Sequence, residues 1–181
     1  MTPEEYHQLK AFARVDGVLM ALLWVSSFAC YIQGLNNVML NMLSVMLIVI
    51  TPFYAARRLR RFRDYAREGI ISFRRGYAYV ILTFFYGGLL FALAQYVYFA
   101  YMDNGFLLGK FTEMMSAPES VAWMQANGLS AMVHESLDQL AQMRPIDFSL
   151  NMLTVNIIAG FVVGLPVAAL MQQRAVKKVE N

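Results

Sequence analysis

The chain has 181 residues, of which 59% are hydrophobic and 15% charged, with a net charge of +3. Soluble domains carry about 25% charged residues, so this balance excludes an ordinary soluble domain and points to a membrane protein of few spans. The lone Cys30 excludes an internal disulfide, and the distant His7 and His134 lack the ligand spacing of a zinc site.

The N-terminal stretch MTPEEYHQLKAFARVDG balances acidic and basic residues and shows no small-residue cleavage site after a short apolar core. The first apolar run is therefore expected to be a retained span and not a removed signal peptide. No charged residue occurs between Asp16 and Arg57, a run of 40 residues, about twice the ~20 needed for one helical span. The polar break QGLNN divides it into spans over Gly17 to Ile32 and Val38 to Ala56. A second charge-free run, the third span, covers Gly76 to Met102, with Tyr77 and Tyr79 at one end and Tyr96, Tyr98, Phe99 and Tyr101 at the other. Tyrosine favours the headgroup layer, where its ring is half dry and its hydroxyl wet. The fourth span is expected over residues 149–171, with Pro166 a candidate kink because proline removes a backbone donor.

The charge between the spans orders them. The segment from Ala55 to Arg75 carries eight arginines against Asp64 and Glu68, a net of +6. The tail carries Arg174, Lys177 and Lys178 against Glu180, a net of +2, whereas residues 103–147 sum to −4. Cytoplasmic loops are enriched in Lys and Arg. The expected fold is thus an all-α integral membrane protein, a single membrane domain of four transmembrane helices with both ends in the cytoplasm. Residues 57–75 form its basic cytoplasmic loop, and 103–147 a small helical periplasmic cap. Within that cap, Leu107, Leu108, Phe111, Met114 and Met115 share a helical face, Ser116 and Glu119 fit a capping box, and Asn127-Gly128 fits a helix stop. Met132, Val133, Leu137, Leu140 and Met143 mark a third helix. Its apolar faces suit the spans, the lipid interface or a partner.

Candidate sites follow from these patterns. Arg57, Arg58, Arg60, Arg61, Arg63, Arg67, Arg74 and Arg75 form a candidate site for anionic lipid headgroups or a lipid-linked phosphate; the simpler reading is that they orient the protein. Leu59, Phe62 and Ala66 share a face suited to the membrane interface. Asn156, Gly160, Gly164 and Ala168 recur every four residues and contain the small-xxx-small pattern GFVVG. That stripe fits a subunit interface or packing within the bundle equally well. Gly87, Gly88 and Ala92 form a second close-approach surface, and Gln95 is expected to bond locally. Asp16 is read as a wet residue at the span's edge, or paired with Lys10 or Arg14. His134 and Glu135 are adjacent and diverge on a helix. The thirteen methionines read as gap-fillers. No catalytic motif, metal site or cofactor is expected, and no nucleic-acid partner.

The basic loop followed by GIISFRRGY and an aromatic span, then YVYFAYMDNGFL, resembles the family catalogued as domain of unknown function 4199. That resemblance implies a small inner-membrane protein of the Bacteroidota, multi-pass in the bacterial cytoplasmic membrane. It also implies an association with family-two glycosyltransferases of the polyprenyl-phosphate sugar type, and it brings no catalytic residue. Two functions are expected on these grounds. One is a non-catalytic membrane subunit or scaffold, holding such an enzyme or a second copy of itself. The other is a protein that binds or moves a lipid or lipid-phosphate. A small-solute transporter is the weaker third, since neither intramembrane charge nor broken paired spans are evident.

Overall fold

The computed structural model describes residues 2–173, so the basic tail at Arg174, Lys177 and Lys178 lies outside the described residues. The described chain is helical: α1 (Pro3–Gly34), α2 (Val38–Val49), α3 (Thr51–Ala66), α4 (Phe73–Tyr101), α5 (Phe106–Ser116), α6 (Pro118–Ala126), α7 (Ser130–Gln142) and α8 (Pro145–Met171). Four helical segments are long and apolar enough to cross a membrane: Pro3–Gly34, Val38–Ala66, Phe73–Tyr101 and Pro145–Met171.

The chain divides into two compact units, Met1–Ala92 with Asn151–Asn181, and Leu93–Leu150. In the first, α1 opens on a capping box: the Thr2 hydroxyl accepts from the Glu5 amide while the Glu5 carboxylate accepts from the Thr2 amide. Leu9, Ala13, Asp16, Met20, Trp24 and Ser27 are buried. Their spacing of three and four residues puts them on one seam. Asn36 and Asn37 lie in the short connection to α2, where Asn37 caps the helix through its side chain (3.0 Å to the Met39 amide). Within α2 only Ser44 is buried, so nearly all of its apolar surface faces outward, as suits a helix in lipid.

Ile50 joins α2 to α3 with helical dihedrals, and α3 follows with Pro52 in its first turn, where proline's missing donor costs least. From there α3 runs through the arginines. The segment read as a basic loop is helical as far as Ala66, and the connection to α4 shrinks to residues 67–72. Ala55, Leu59 and Phe62 are buried. Leu59 and Phe62 therefore belong to the core and not to a membrane-interface face, because they point opposite the outward arginines on the same helix. In the connection, Ile71 exchanges two 3.0 Å backbone hydrogen bonds with Gln173 beyond the end of α8.

Small residues bring α4 close to its neighbours. A Cβ at Gly17 would stand 2.8 Å from the Cβ of Tyr86 and 3.0 Å from the Gly87 amide nitrogen, so α1 and α4 meet backbone to backbone there. A Cβ at Gly160 would meet that of Phe84 at 2.7 Å. Trp24 packs edge-on against both Phe84 and Phe91, and Phe62 stacks on Tyr79 with ring centres 4.9 Å apart. Such close approach supplies dispersion contact where lipid leaves no hydrophobic drive between helices.

The second unit holds the end of α4, helices α5 to α7 and the start of α8. Asn104 and Gly105 turn the chain into α5 with positive φ. Phe99 stacks on Phe148, and a cavity of about 220 Å³ lies beside them, lined by Leu107, Leu108, Phe111 and Leu140. The capping box expected at Ser116 and Glu119 does not form. Ser116 ends α5, Ala117 is the extended residue before α6, and Pro118 starts that helix without a side-chain cap. Proline at the first position needs no acceptor for its own nitrogen and biases the residue before it to an extended shape.

Candidate functional site

The polar heart of the first unit is Asp16. It sits on the buried seam of α1 at 2% exposure. The wet edge position expected for it is therefore corrected, and so is pairing with Lys10 or Arg14. Its partner is Arg58 of α3, which reaches one carboxylate oxygen with both Nε and Nη2. The other oxygen accepts the hydroxyl of Tyr79 on α4. A second tyrosine, Tyr54, donates to the Asp16 backbone carbonyl at 3.0 Å. Three helices thus meet at one carboxylate. Lys10 and Arg14 instead lie over the rings of Tyr6 and Tyr86.

The physical chemistry of this arrangement is that of a closed ion pair. A buried carboxylate alone is strongly unfavourable, so it must be neutralised and hydrogen-bonded. Arg58 supplies the charge, and Tyr79 takes the oxygen that Arg58 leaves free. Two further polar contacts fasten α1 nearby: Trp24 Nε1 donates to Thr51 Oγ1 at 3.1 Å, and the Ser27 hydroxyl donates to the Ser44 carbonyl at 3.0 Å.

The eight arginines separate into two groups. Arg58, Arg63, Arg67 and Arg75 turn inward. Arg67 and Arg75 both reach Glu5 at 2.8 Å, so one carboxylate in the first turn of α1 holds both sides of the α3–α4 connection. Arg63 bonds Asp64 at 2.8 Å and donates to the Met171 carbonyl at 3.1 Å, satisfying an acceptor at the end of α8. Arg57, Arg60, Arg61 and Arg74 are exposed. Among these, Arg60 lies 3.7 Å from Asp64 and Arg61 stands over the Tyr65 ring. The arginines expected to act together as a lipid or phosphate site are therefore not one surface.

The stripe on α8 packs on α4 of the same chain. Asn156 lies against Gly88, Gly160 against Phe84, Gly164 against the Tyr77 ring, and Ala168 near Gly76. The Asn156 amide nitrogen is buried without a hydrogen-bond partner, and so is the Gln95 carbonyl oxygen, which lacks the local bond expected for it. Among the described residues, no group of three His, Cys, Asp or Glu side chains is placed to hold a metal ion.

The order of these elements, from the buried acid on α1 through the arginine-bearing α3 and the aromatic α4 to the end of α8, falls within one family match. Residues 16–173 match the family described as a protein of unknown function (DUF4199). The chain belongs to that family. Neither a curated protein nor a solved structure matches it. The DUF4199 match begins at Asp16 and ends at Gln173, so it takes in the ion pair and the bridge from Ile71 to the end of α8.

What sequence reasoning missed was the depth of Asp16. The signal was present in the spacing: Leu9, Ala13, Met20 and Trp24 share its face, so a seam continues through the acid. Counting uncharged residues stops at a charge and loses that register.

Proposed function

We propose that the chain is a non-catalytic, multi-pass subunit or scaffold of a bacterial cytoplasmic membrane. Its arginine-rich 57–75 segment and both ends lie on the cytoplasmic side, and the acidic 103–147 segment on the outer side. The supporting argument for this sidedness is the charge difference between the segments. The observation that carries the scaffold reading is the closure of the Asp16 site. Arg58 and Tyr79 occupy both carboxylate oxygens, which suits a residue that holds helices together better than one that exchanges protons or ligands.

The α8 stripe is spent on α4. Surfaces left for a partner include the outward side of α2, where Met39 is 77% exposed, and the second unit, where Trp123 and Met132 are each 61% exposed. A membrane glycosyltransferase of the polyprenyl-phosphate type is the partner that the family resemblance brings to this reading. Native mass spectrometry after gentle extraction from the source membrane tests it. A stoichiometric protein partner is expected; a chain that leaves the membrane alone refutes the proposal.

A further inference from the structure

The outward face of α3 carries a binding surface of its own. Arg57 stands three and four residues before Arg60 and Arg61, and Asp64 and Tyr65 lie four residues beyond each of those in turn, which places all five on one side of the helix. Arg57, Arg60, Arg61, Asp64 and Tyr65 line a shallow depression of about 520 Å³ together with Met171. The opposite side of α3 is occupied by Ala55, Leu59 and Phe62, all buried, and by Arg58 on its acid. Half of the arginine cluster is thus committed to the fold, and the other half is presented outward.

Depth selects the occupant. Val38 follows the polar connection at Asn36 and Asn37. At 1.5 Å per residue, the ~30 Å hydrocarbon layer is crossed in about 20 residues, which brings the chain from Val38 to the first of the outward arginines. Arg57, Arg60 and Arg61 then stand at the level of lipid phosphates. Phe53, one turn before Arg57, is 71% exposed, and Tyr65 is 81% exposed. An apolar ring just inside a row of guanidiniums, with a phenol just beyond, matches the order of acyl chain, phosphate and headgroup. Arginine binds a phosphate monoanion through paired N–H donors, and three guanidiniums against the one Asp64, itself bonded to Arg63, leave the depression cationic.

We infer that Arg57, Arg60 and Arg61 bind the headgroup phosphate of an anionic phospholipid, whereas Arg58 has no part in it. The inference rests on the membrane-spanning reading above but not on the scaffold role, and it is tested without any protein partner.

The full chain is placed in nanodiscs containing equal amounts of phosphatidylglycerol and phosphatidylcholine, and lipids retained on release are counted by native mass spectrometry. An arginine held at the level of the lipid phosphates contributes about fivefold to anionic-lipid partitioning. The triple variant R57Q/R60Q/R61Q is expected to lose at least tenfold of the preference for phosphatidylglycerol, with helix content by circular dichroism unchanged. R74Q, which removes an exposed arginine outside the depression, should retain the preference. Three results overturn the inference: no preference in the parent chain, an unchanged preference in the triple variant, or an equal loss in R74Q. If the triple variant misfolds, the single variants R57Q, R60Q and R61Q decide, each expected to lower the preference severalfold.

Discussion

Removing Arg58 while leaving Asp16 in place is the severest single test of the fold. Arg58→Leu strips the acid of two charge-assisted contacts and leaves Tyr79 as the donor to its side chain. Breaking one side of a buried ion pair costs about 3–5 kcal/mol, because a charge is left without compensation. The Asp16 side chain is 3% exposed and that of Arg58 18%. The arginine therefore keeps partial access to the surrounding medium, and the expected loss falls near the lower limit, about 3 kcal/mol. The diagnostic variant is the double one. Asp16→Asn with Arg58→Leu removes the stranded charge while leaving an amide for Tyr79 to bond. It should recover much of the loss, giving a coupling energy of at least ~1.5 kcal/mol between the two positions. The assay is reversible unfolding of the purified protein in mixed micelles by a denaturing detergent, followed by helix content, for the parent and all three variants. Additivity within about 0.5 kcal/mol would show that Asp16 and Arg58 do not stabilise one another, and the argument for a closed site would fall with it.

Two glycines give opposite expectations for the same substitution. Gly160→Ala puts a Cβ 2.7 Å from that of Phe84, an overpacked contact between two helices that should cost about 1–3 kcal/mol in the same unfolding assay. Gly109→Ala adds a methyl in the interior of α5 with nothing within 4 Å, so helix propensity alone acts and α5 should gain about 0.5–1 kcal/mol. Equal effects from the two would contradict the packing described. Glu5→Gln keeps a side chain able to complete the capping box but removes the charge between Arg67 and Arg75. Trypsin should then cut the 67–75 segment faster than in the parent, and high salt should speed the parent's cleavage by screening the same contacts; identical rates would rule out the clamp.

The four apolar runs were legible because membrane-crossing helices write themselves as contiguous composition. Each run found its helix, from the stretch after Asp16 to the one ending at Met171. Less visible was where the helices continue past the uncharged residues. Helix α3 carries on through Arg57 to Arg63 because Ala55, Leu59 and Phe62 give it a core-facing side, and charge counting takes the same residues for a loop. The inward or outward fate of each arginine depends on which acid lies opposite. Arg58 finds Asp16 and Arg67 finds Glu5, at separations of 42 and 62 residues, and no local pattern reveals such partners. The stripe on α8 could be recognised as a close-packing surface, but its partner, α4, emerges only when Gly160 is set against Phe84.

The bond from Arg63 to the Met171 carbonyl joins residues 108 positions apart, and the Ile71–Gln173 bridge lies beside it in the chain. During synthesis at about 5–20 residues per second, the acceptor for Arg63 is made roughly 5–20 seconds after the arginine itself. Helices α1 to α3 can join through Asp16 and Arg58 well before then. The Ile71 backbone and the Arg63 Nη1 donor therefore wait for their final partners until α8 has been made, while Arg63 Nε already has Asp64 beside it. Closure of that end is a late event in the assembly of the protein, and an insertion factor that shields residues 63–72 would act in that interval.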